Sequence, residues 1–298
     1  MELRNMKKLL FIFNPISGKS RIKDQLYDVI NFYTQNGYIV TTIPTQHARH
    51  AYEFLIENQN QYDAIICSGG DGTLNETVSA LVKTKSQAQF GYLPSGSTND
   101  FARSIGIPFE LEKAMWLSVY GNEHCVDLGK INDQIFVYVA AFGLFTNVAY
   151  ATPQRFKNIL GYLAYLLEGI RQISELRVYH IHLTYEDGVI EGDFIIGLIT
   201  NSMSIGGFKN PRSNVVELDD GLFEVILIRK PNHIIELQSI IASLLSEKPN
   251  SSFITYLQSS RIQIESEEMS WTVDGEYGGN HKKVEITNLK QVFCIMGQ

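Results

Sequence analysis

The most constraining feature of this chain is the stretch from Ala64 to Glu76. There an apolar, strand-like run meets three glycines, an acid and a hydroxyl before a helical pattern begins. Gly69, Gly70 and Gly72 carry no Cβ, so backbone N–H groups can close on an anion, and a helix that follows points its positive end at the same place. The flanking sequence alternates in the way such a turn requires. Strand-like runs are expected at Lys8–Phe13, Tyr38–Ile43, Ala64–Cys67 and Gly91–Leu93. Between them lie helical patterns: Leu26, Val29, Ile30 and Tyr33 at helical spacing, then Ala48–Asn58 and Leu74–Val82. Strand and helix in alternation predict a parallel sheet covered by helices.

Counting excludes two common nucleotide motifs. A dinucleotide fingerprint beginning at Gly70 needs a small third residue at position 75, where Asn75 stands. Gly18-Lys19-Ser20 has the ending of a P-loop, but Phe13 occupies the position of its first glycine. The segment Asn14-Pro15-Ile16-Ser17-Gly18-Lys19 still follows the first strand, and Pro94 to Arg103 follows the fourth. In a parallel sheet both join the Gly69–Gly72 turn at one edge, where ligands gather. Lys19 would there neutralise a phosphate, and Pro94 to Arg103 offers hydroxyls, an amide and a carboxylate, although Ser97 to Asp100 taken alone also reads as a helix cap.

Beyond about Leu128 the texture changes. Ile135–Ala140, Val178–Thr184, Phe194–Thr200, Phe223–Ile228, Arg261–Ile264 and Val284–Ile286 read as strands, with turn signals at Asp187-Gly188, Asp220-Gly221 and Asp274-Gly275. The expected fold class is therefore α/β plus all-β: a Rossmann-like nucleotide-binding domain, then an antiparallel β-sandwich-like domain. The boundary is expected near residue 128, and 298 residues suffice for two domains. One amphipathic helix is expected between Phe156 and Ile173.

Net charge is −7 and basic residues cluster no further than adjacent pairs, so a nucleic acid is not an expected partner. Three cysteines, far apart and outside any C-x-x-C pattern, argue against a disulfide framework or a zinc site and for a reducing cytoplasm. The apolar run Leu9–Phe13 is too short for a signal peptide, and Tyr138–Ala151 is too short to span a bilayer, so any membrane contact is expected to be peripheral. Exposed strand edges in the second domain make a homodimer an expected assembly.

Five segments in order resemble the diacylglycerol kinase catalytic-domain family, in particular its soluble bacterial lipid kinases. They are Asn14-Pro15-x-Ser17-Gly18, Gly69 to Glu76, Gly96-x-x-Asn99-Asp100-Phe101, Asp127-x-Gly129 and Asp274-Gly275-Glu276. NAD kinases share the Gly-Gly-Asp-Gly turn, but the 96–102 segment and the late Asp-Gly-Glu are similar to the lipid branch. The resemblance implies ATP and Mg²⁺ in a cleft, a lipid alcohol as acceptor with diacylglycerol first, a second domain over about 129–286, and a C-terminal return over about 287–298. It implies Glu276 as general base and a water-linked metal network of Asp71, Asp100 and Asp127. Nucleotide contacts would come from Asn14, Pro15, Ser17, Gly18, Lys19, Thr45, Gly69, Gly70, Gly72, Thr73, Asn75, Glu76 and Ser97. A structural Mg²⁺ would take the Asp220 carboxylate and the main-chain oxygens of Glu217 and Leu222. Glu168 departs from the family pattern, standing where some relatives carry Lys. Sphingoid bases, prenols and phosphatidylglycerol are alternative acceptors, and a catalytically silent lipid-binding regulator is the alternative outside catalysis.

Overall fold

A computed structural model of the chain describes residues 6–18, 21–143, 176–201, 217–245 and 252–298. Lys19 and the 156–173 segment with Glu168 lie outside the described residues. The chain divides into two compact units, Met1–Val126 with Gln291–Gln298, and Asp127–Lys290.

The first unit holds a parallel sheet of β1 (Lys7–Phe13), β2 (Tyr38–Pro44), β3 (Ala64–Gly69) and β4 (Gln89–Pro94), in the order β2-β1-β3-β4. Its central strands carry unbroken apolar runs, Leu9 to Phe13 and Ala64 to Cys67, because both faces are covered: Leu9 to Ile12 and Ile65 are fully buried. Helices α1 (Arg21–Asp24), α2 (Leu26–Gln35), α3 (His50–Asn58), α4 (Asp71–Thr84), α5 (Asp100–Ser104) and α6 (Leu111–Tyr120) complete the alternation. One boundary differs from expectation. Helix α4 begins at Asp71, not near Leu74, so the last part of the glycine turn forms its first turn. Glycine is a poor helix former, which hid that start in the sequence.

The second sheet is nine-stranded. It runs β11 (Ile254–Ser259), β10 (Phe223–Arg229), β9 (Gly188–Thr200), β7 (Val139–Gly143), β12 (Arg261–Val273), β13 (Glu276–Gly297), β5 (Asn122–Ile131) and β6 (Gln134–Phe136). Strand β8 (Tyr179–Tyr185) pairs with both β9 and β12. A helix, α7 (Ile234–Leu245), connects β10 to β11. The long strands β9 and β12 each pair with β7 near one end and β8 near the other, giving a closed circuit of hydrogen-bonded neighbours. Inside it lie Phe142, Trp271, Tyr179, Ile181, Leu183 and Ile264, with the Phe142 and Trp271 rings 5.3 Å apart and edge-on.

Two expectations need correction here. The run Ile135–Ala140 is split into β6 and β7, because the amides of Val137, Tyr138 and Val139 turn to the carboxylate of Asp274. Cys125 and Cys294 form a disulfide across β5 and β13, with their Cα atoms 3.9 Å apart. A separation of 169 residues carries no information about which strands become neighbours, so spacing alone argued the wrong way.

Close packing in the second sheet depends on aromatic rings laid over glycines on the facing strand. Gly197 pairs with Phe142, and a Cβ at Gly197 would lie 2.0 Å from the ring. Gly197→Ala is expected to cost about 1–3 kcal/mol by overpacking. Urea unfolding should show a lower midpoint with an unchanged slope.

Candidate functional site

The strand order β2-β1-β3-β4 reverses direction between β1 and β3, so the loops leaving their C-terminal ends flank a topological switch point, the usual ligand crevice of such sheets. Three turns meet there. Asn14 donates from its amide Nδ2 to Thr73 Oγ1 at 3.3 Å, and its backbone N–H reaches Ser68 O at 2.9 Å. Ser17 and Ser95 share a hydroxyl hydrogen bond at 2.7 Å, while Ser95 and Gly96 donate their amides to Gly69 O at 2.9 and 3.1 Å. The Asn99 side chain closes its own loop, accepting from Gly96 N at 2.9 Å and donating to Gly96 O at 3.0 Å. Tyr92, buried beneath, donates its hydroxyl to Gly69 O at 2.9 Å.

Glycine is required where these turns touch. A Cβ on Gly96 would lie 2.5 Å from Gly70 Cα, and one on Gly18, at φ +55°, would lie 2.2 Å from Ser95 O. The three backbones approach as closely as backbones can, and no side chain stands between them at these positions.

Asp71 is the first residue of α4, with Gly70 as its cap. Thr98 donates to its Oδ2 at 2.9 Å, yet Oδ1 is buried with no hydrogen-bond partner among the described residues. Burial pushes this carboxyl above the usual carboxylate range, and Thr98 with the amides of Phe101, Asp100 and Asn99 offsets only part of the rise. A buried, half-satisfied carboxylate fits a hard cation or a donor from a ligand. Asp100, also buried, starts α5. Thr45 follows β2 with its amide on Phe13 O at 2.8 Å, Pro15 is half-buried, and Ser97 is exposed. Gly72, Thr73, Asn75 and Glu76 lie within α4. The Glu76 carboxylate is engaged elsewhere, accepting from the amides of Arg49 at 2.7 Å and Ala51 at 3.3 Å at the start of α3. Beneath the turn, burial pushes the Cys67 thiol up to about 12, so it is an inert core group.

In the second unit Glu276 is exposed, just after a two-residue turn joining β12 to β13. Asp274 and Gly275 have φ of +48° and +85°, the double positive φ of a type I′ hairpin. Asp274 is 5% exposed, and its carboxylate accepts from Val137 N at 2.6 Å and from Tyr138 N and Val139 N at 3.0 Å each. The turn that presents Glu276 is thereby pinned to the β6–β7 loop. Asp127, buried, accepts from Gly221 N at 2.6 Å, and its own amide donates to Leu218 O at 2.8 Å, which ties β5 to the 217–222 loop. Asp220 Oδ1 accepts from Leu222 N at 2.8 Å, Lys290 Nζ donates to Asp220 O at 3.1 Å, and Glu217 is exposed. Burial pushes Glu224 up to about 7, and its Oε2 has no hydrogen-bond partner among the described residues. The acidic Asp220–Glu224 neighbourhood is thus chemically suited to a hard cation.

Tyr92 and the anchoring role of Asp274 were missed in the sequence, and the separate roles of Ser95 and Thr98 within the hydroxyl-bearing Pro94–Arg103 turn were not distinguished. Ser95 precedes Gly96 and Thr98 precedes Asn99, so a hydroxyl beside a turn residue was the available signal. Asp274 was read only as a turn residue.

Removing the Asp274 carboxylate strands three amides. Asp274→Ala is expected to lower stability by about 2–4 kcal/mol, with Asp274→Asn intermediate, as read by urea unfolding. Glu224 has a folded pKa above its unfolded value, so the contribution it makes is fully present below about pH 4.5 and is lost as pH rises through about 7. In EDTA, Glu224→Gln should therefore gain stability relative to wild type as pH is raised from about 5 to about 8, measured as the difference in Tm.

The family model for the diacylglycerol kinase catalytic domain matches residues 8–131. The chain is 35% identical over 279 residues to the diacylglycerol kinase of Bacillus subtilis, covering 92% of this chain and 91% of that protein. It is 32% identical over 292 residues to the diacylglycerol kinase of Staphylococcus saprophyticus, covering 96% and 93%. Its fold matches a crystal structure of a diacylglycerol kinase from Bacillus anthracis with a TM-score of 0.75 at 21% identity, over 99% of this chain and 98% of that chain. With the parallel sheet, its glycine turns and the antiparallel sheet in place, the extent of these matches shows that the chain belongs to the diacylglycerol kinase family of lipid kinases.

Proposed function

We propose that this protein transfers the γ-phosphoryl group of ATP to the free hydroxyl of diacylglycerol, giving phosphatidic acid and ADP. The observation that carries the reading is the meeting of three glycine turns at the switch point, with the buried Oδ1 of Asp71 in one of them left without a hydrogen-bond partner among the described residues. Diacylglycerol as the acceptor is supported by the name borne by relatives that match over nearly their whole length. In this reading residues 1–128 bind nucleotide and 129–286 take the lipid, which the protein meets by peripheral contact with a membrane. No helix among the described residues is long and apolar enough to cross one.

The turn amides and the hydroxyls of Ser17, Ser95 and Ser97 hold the polyphosphate, with Asp71 and Asp100 as the acids facing a cation. Bound Mg²⁺ supplies charge neutralisation on the phosphate oxygens. Glu276 accepts the proton of the lipid hydroxyl as its oxygen bonds to the γ-phosphorus; the bond to the β-bridging oxygen breaks and ADP departs. Asp274 holds the turn that carries that base. Asp127 orders the 217–222 loop, where the Asp220 carboxylate and the main-chain oxygens of Glu217 and Leu222 would hold a structural Mg²⁺.

Purified protein with labelled ATP and a lipid panel tests the assignment. Diacylglycerol is expected to take the label, and preferential labelling of a sphingoid base, a prenol or phosphatidylglycerol would replace it as substrate. Glu276→Gln should lower kcat by about 100-fold or more while nucleotide affinity is unchanged; near-normal turnover would remove Glu276 from the role. Asp71→Asn should lose Mg·ATP affinity without a fall in the Tm of the ligand-free protein, because it removes a buried, half-satisfied charge.

A further inference from the structure

The disulfide between Cys125 and Cys294 joins the two strands on which the chain passes between its units. There are two such passages, from Val126 to Asp127 and from Lys290 to Gln291. The first is on β5 and the second on β13, and these strands are hydrogen-bonded neighbours. Cys125 directly precedes Val126, and Cys294 lies three residues beyond Gln291. One covalent bond therefore ties both strands close to both passages.

Packing holds these strands without that bond. Val126 on β5 and Phe293 and Ile295 on β13 are buried, with the Phe293 ring 5.0 Å from that of Phe90. Side chains alternate along a strand, so Cys125 and Cys294 face the other way, where both are only half-buried. The bond thus closes on the outer side of a strand pair whose inner side is already core. Breaking it lifts a constraint that acts chiefly on the unfolded chain and leaves the backbone pairing and the core in place. The third cysteine does not compete. Cys67 is buried in the first unit, where burial pushes its thiol up to about 12, so it supplies no thiolate to divert the pair.

We propose that Cys125 and Cys294 form a reversible redox switch: as a disulfide they clamp β5 to β13 at the two passages and slow turnover, and as thiols they release it. The effect on turnover rests on the kinase reading, in which Asp71 of the first unit and Glu276 of the second serve one reaction. Conformational steps commonly limit such turnover, and they draw on the segments that connect the moving parts. Closing the bond takes two electrons and two protons from the thiols, and a low-molecular-weight disulfide accepts them. One cysteine thiolate attacks that disulfide, the other cysteine attacks the mixed disulfide so formed, and two small thiols leave; a dithiol reverses the exchange.

Full-length protein is equilibrated in glutathione buffers of graded ratio. EDTA is present, because the freed thiols and the Glu123 carboxylate, within 4.8 Å of one another, are a set that could take a metal. Alkylation under native conditions followed by intact mass counts the free thiols. Cys125 and Cys294 are expected to pass together from alkylated to protected as the buffer becomes more oxidising, with circular dichroism unchanged. A bond that persists at every ratio, one that never forms, or a reduced protein that unfolds would overturn the switch. Hydrogen exchange reads the clamp without turnover: amides of 122–131 and 287–297 should exchange about threefold or more slower when oxidised, and equal rates would overturn it. Turnover of labelled ATP and diacylglycerol in Mg²⁺, on protein brought to each state beforehand, should be about threefold or more lower when oxidised and recover with dithiothreitol. The C125S/C294S protein should match the reduced protein in every buffer. Equal turnover in the two states, or oxidant sensitivity kept by C125S/C294S, would overturn the regulation. Absence of turnover in both states, with the thiol and exchange responses intact, would count against the kinase reading and leave the clamp supported.

Discussion

The close approach of two backbones, Gly70 to Gly96, is the contact on which the first unit's chemistry depends. With no side chain between them, the turn after β3 and the turn after β4 share hydrogen bonds through Gly69 O, and the loop after β1 joins through Ser17 and Gly18. A single Cβ at Gly96 meets both Gly70 Cα and the Asn99 side chain. The parallel sheet supplies the common edge, and the glycines allow the three loops to occupy it together. Among the described residues Asp71 is left with a buried oxygen unsatisfied, a cost of about 1–3 kcal/mol of the kind that folded proteins retain at sites of ligand contact.

The second unit solves a different problem with similar economy. Its sheet is long, and β9 and β12 each serve two partners, which closes the strands around an aromatic and aliphatic core. Cross-strand glycines opposite Phe136 and Phe142 let the rings lie flat over the backbone. From this rigid body the Asp274 turn projects, its carboxylate satisfied by three consecutive amides of the β6–β7 loop. A side chain at 276 is therefore presented by a short turn with a well-anchored base, so that an exposed acid gains a defined starting position.

The same sheet shows how burial and register divide labour along a strand. On β8 the inward residues are core, and the outward ones, His180 and His182, meet acids because β9 runs antiparallel in that register. A shift of one residue would bury the imidazoles and expose Ile181 and Leu183, so packing fixes the outward constellation as firmly as it fixes the core.

The sequence by itself determined the fold class and the family. Alternating apolar runs and glycine turns specify β-α order locally, and five ordered motifs are too many to share by accident. It also marked the residues of the switch-point turns, because a strand running into glycines reads without knowledge of neighbours. What it did not contain was adjacency between distant segments. Three amides turning to Asp274 broke one apolar run into two strands, Cys125 met Cys294, Glu76 went to cap α3, and Thr98 reached Asp71. Each depends on which strands and loops become neighbours in space, a long-range property that periodicity and spacing do not encode. Only the tertiary structure decided them.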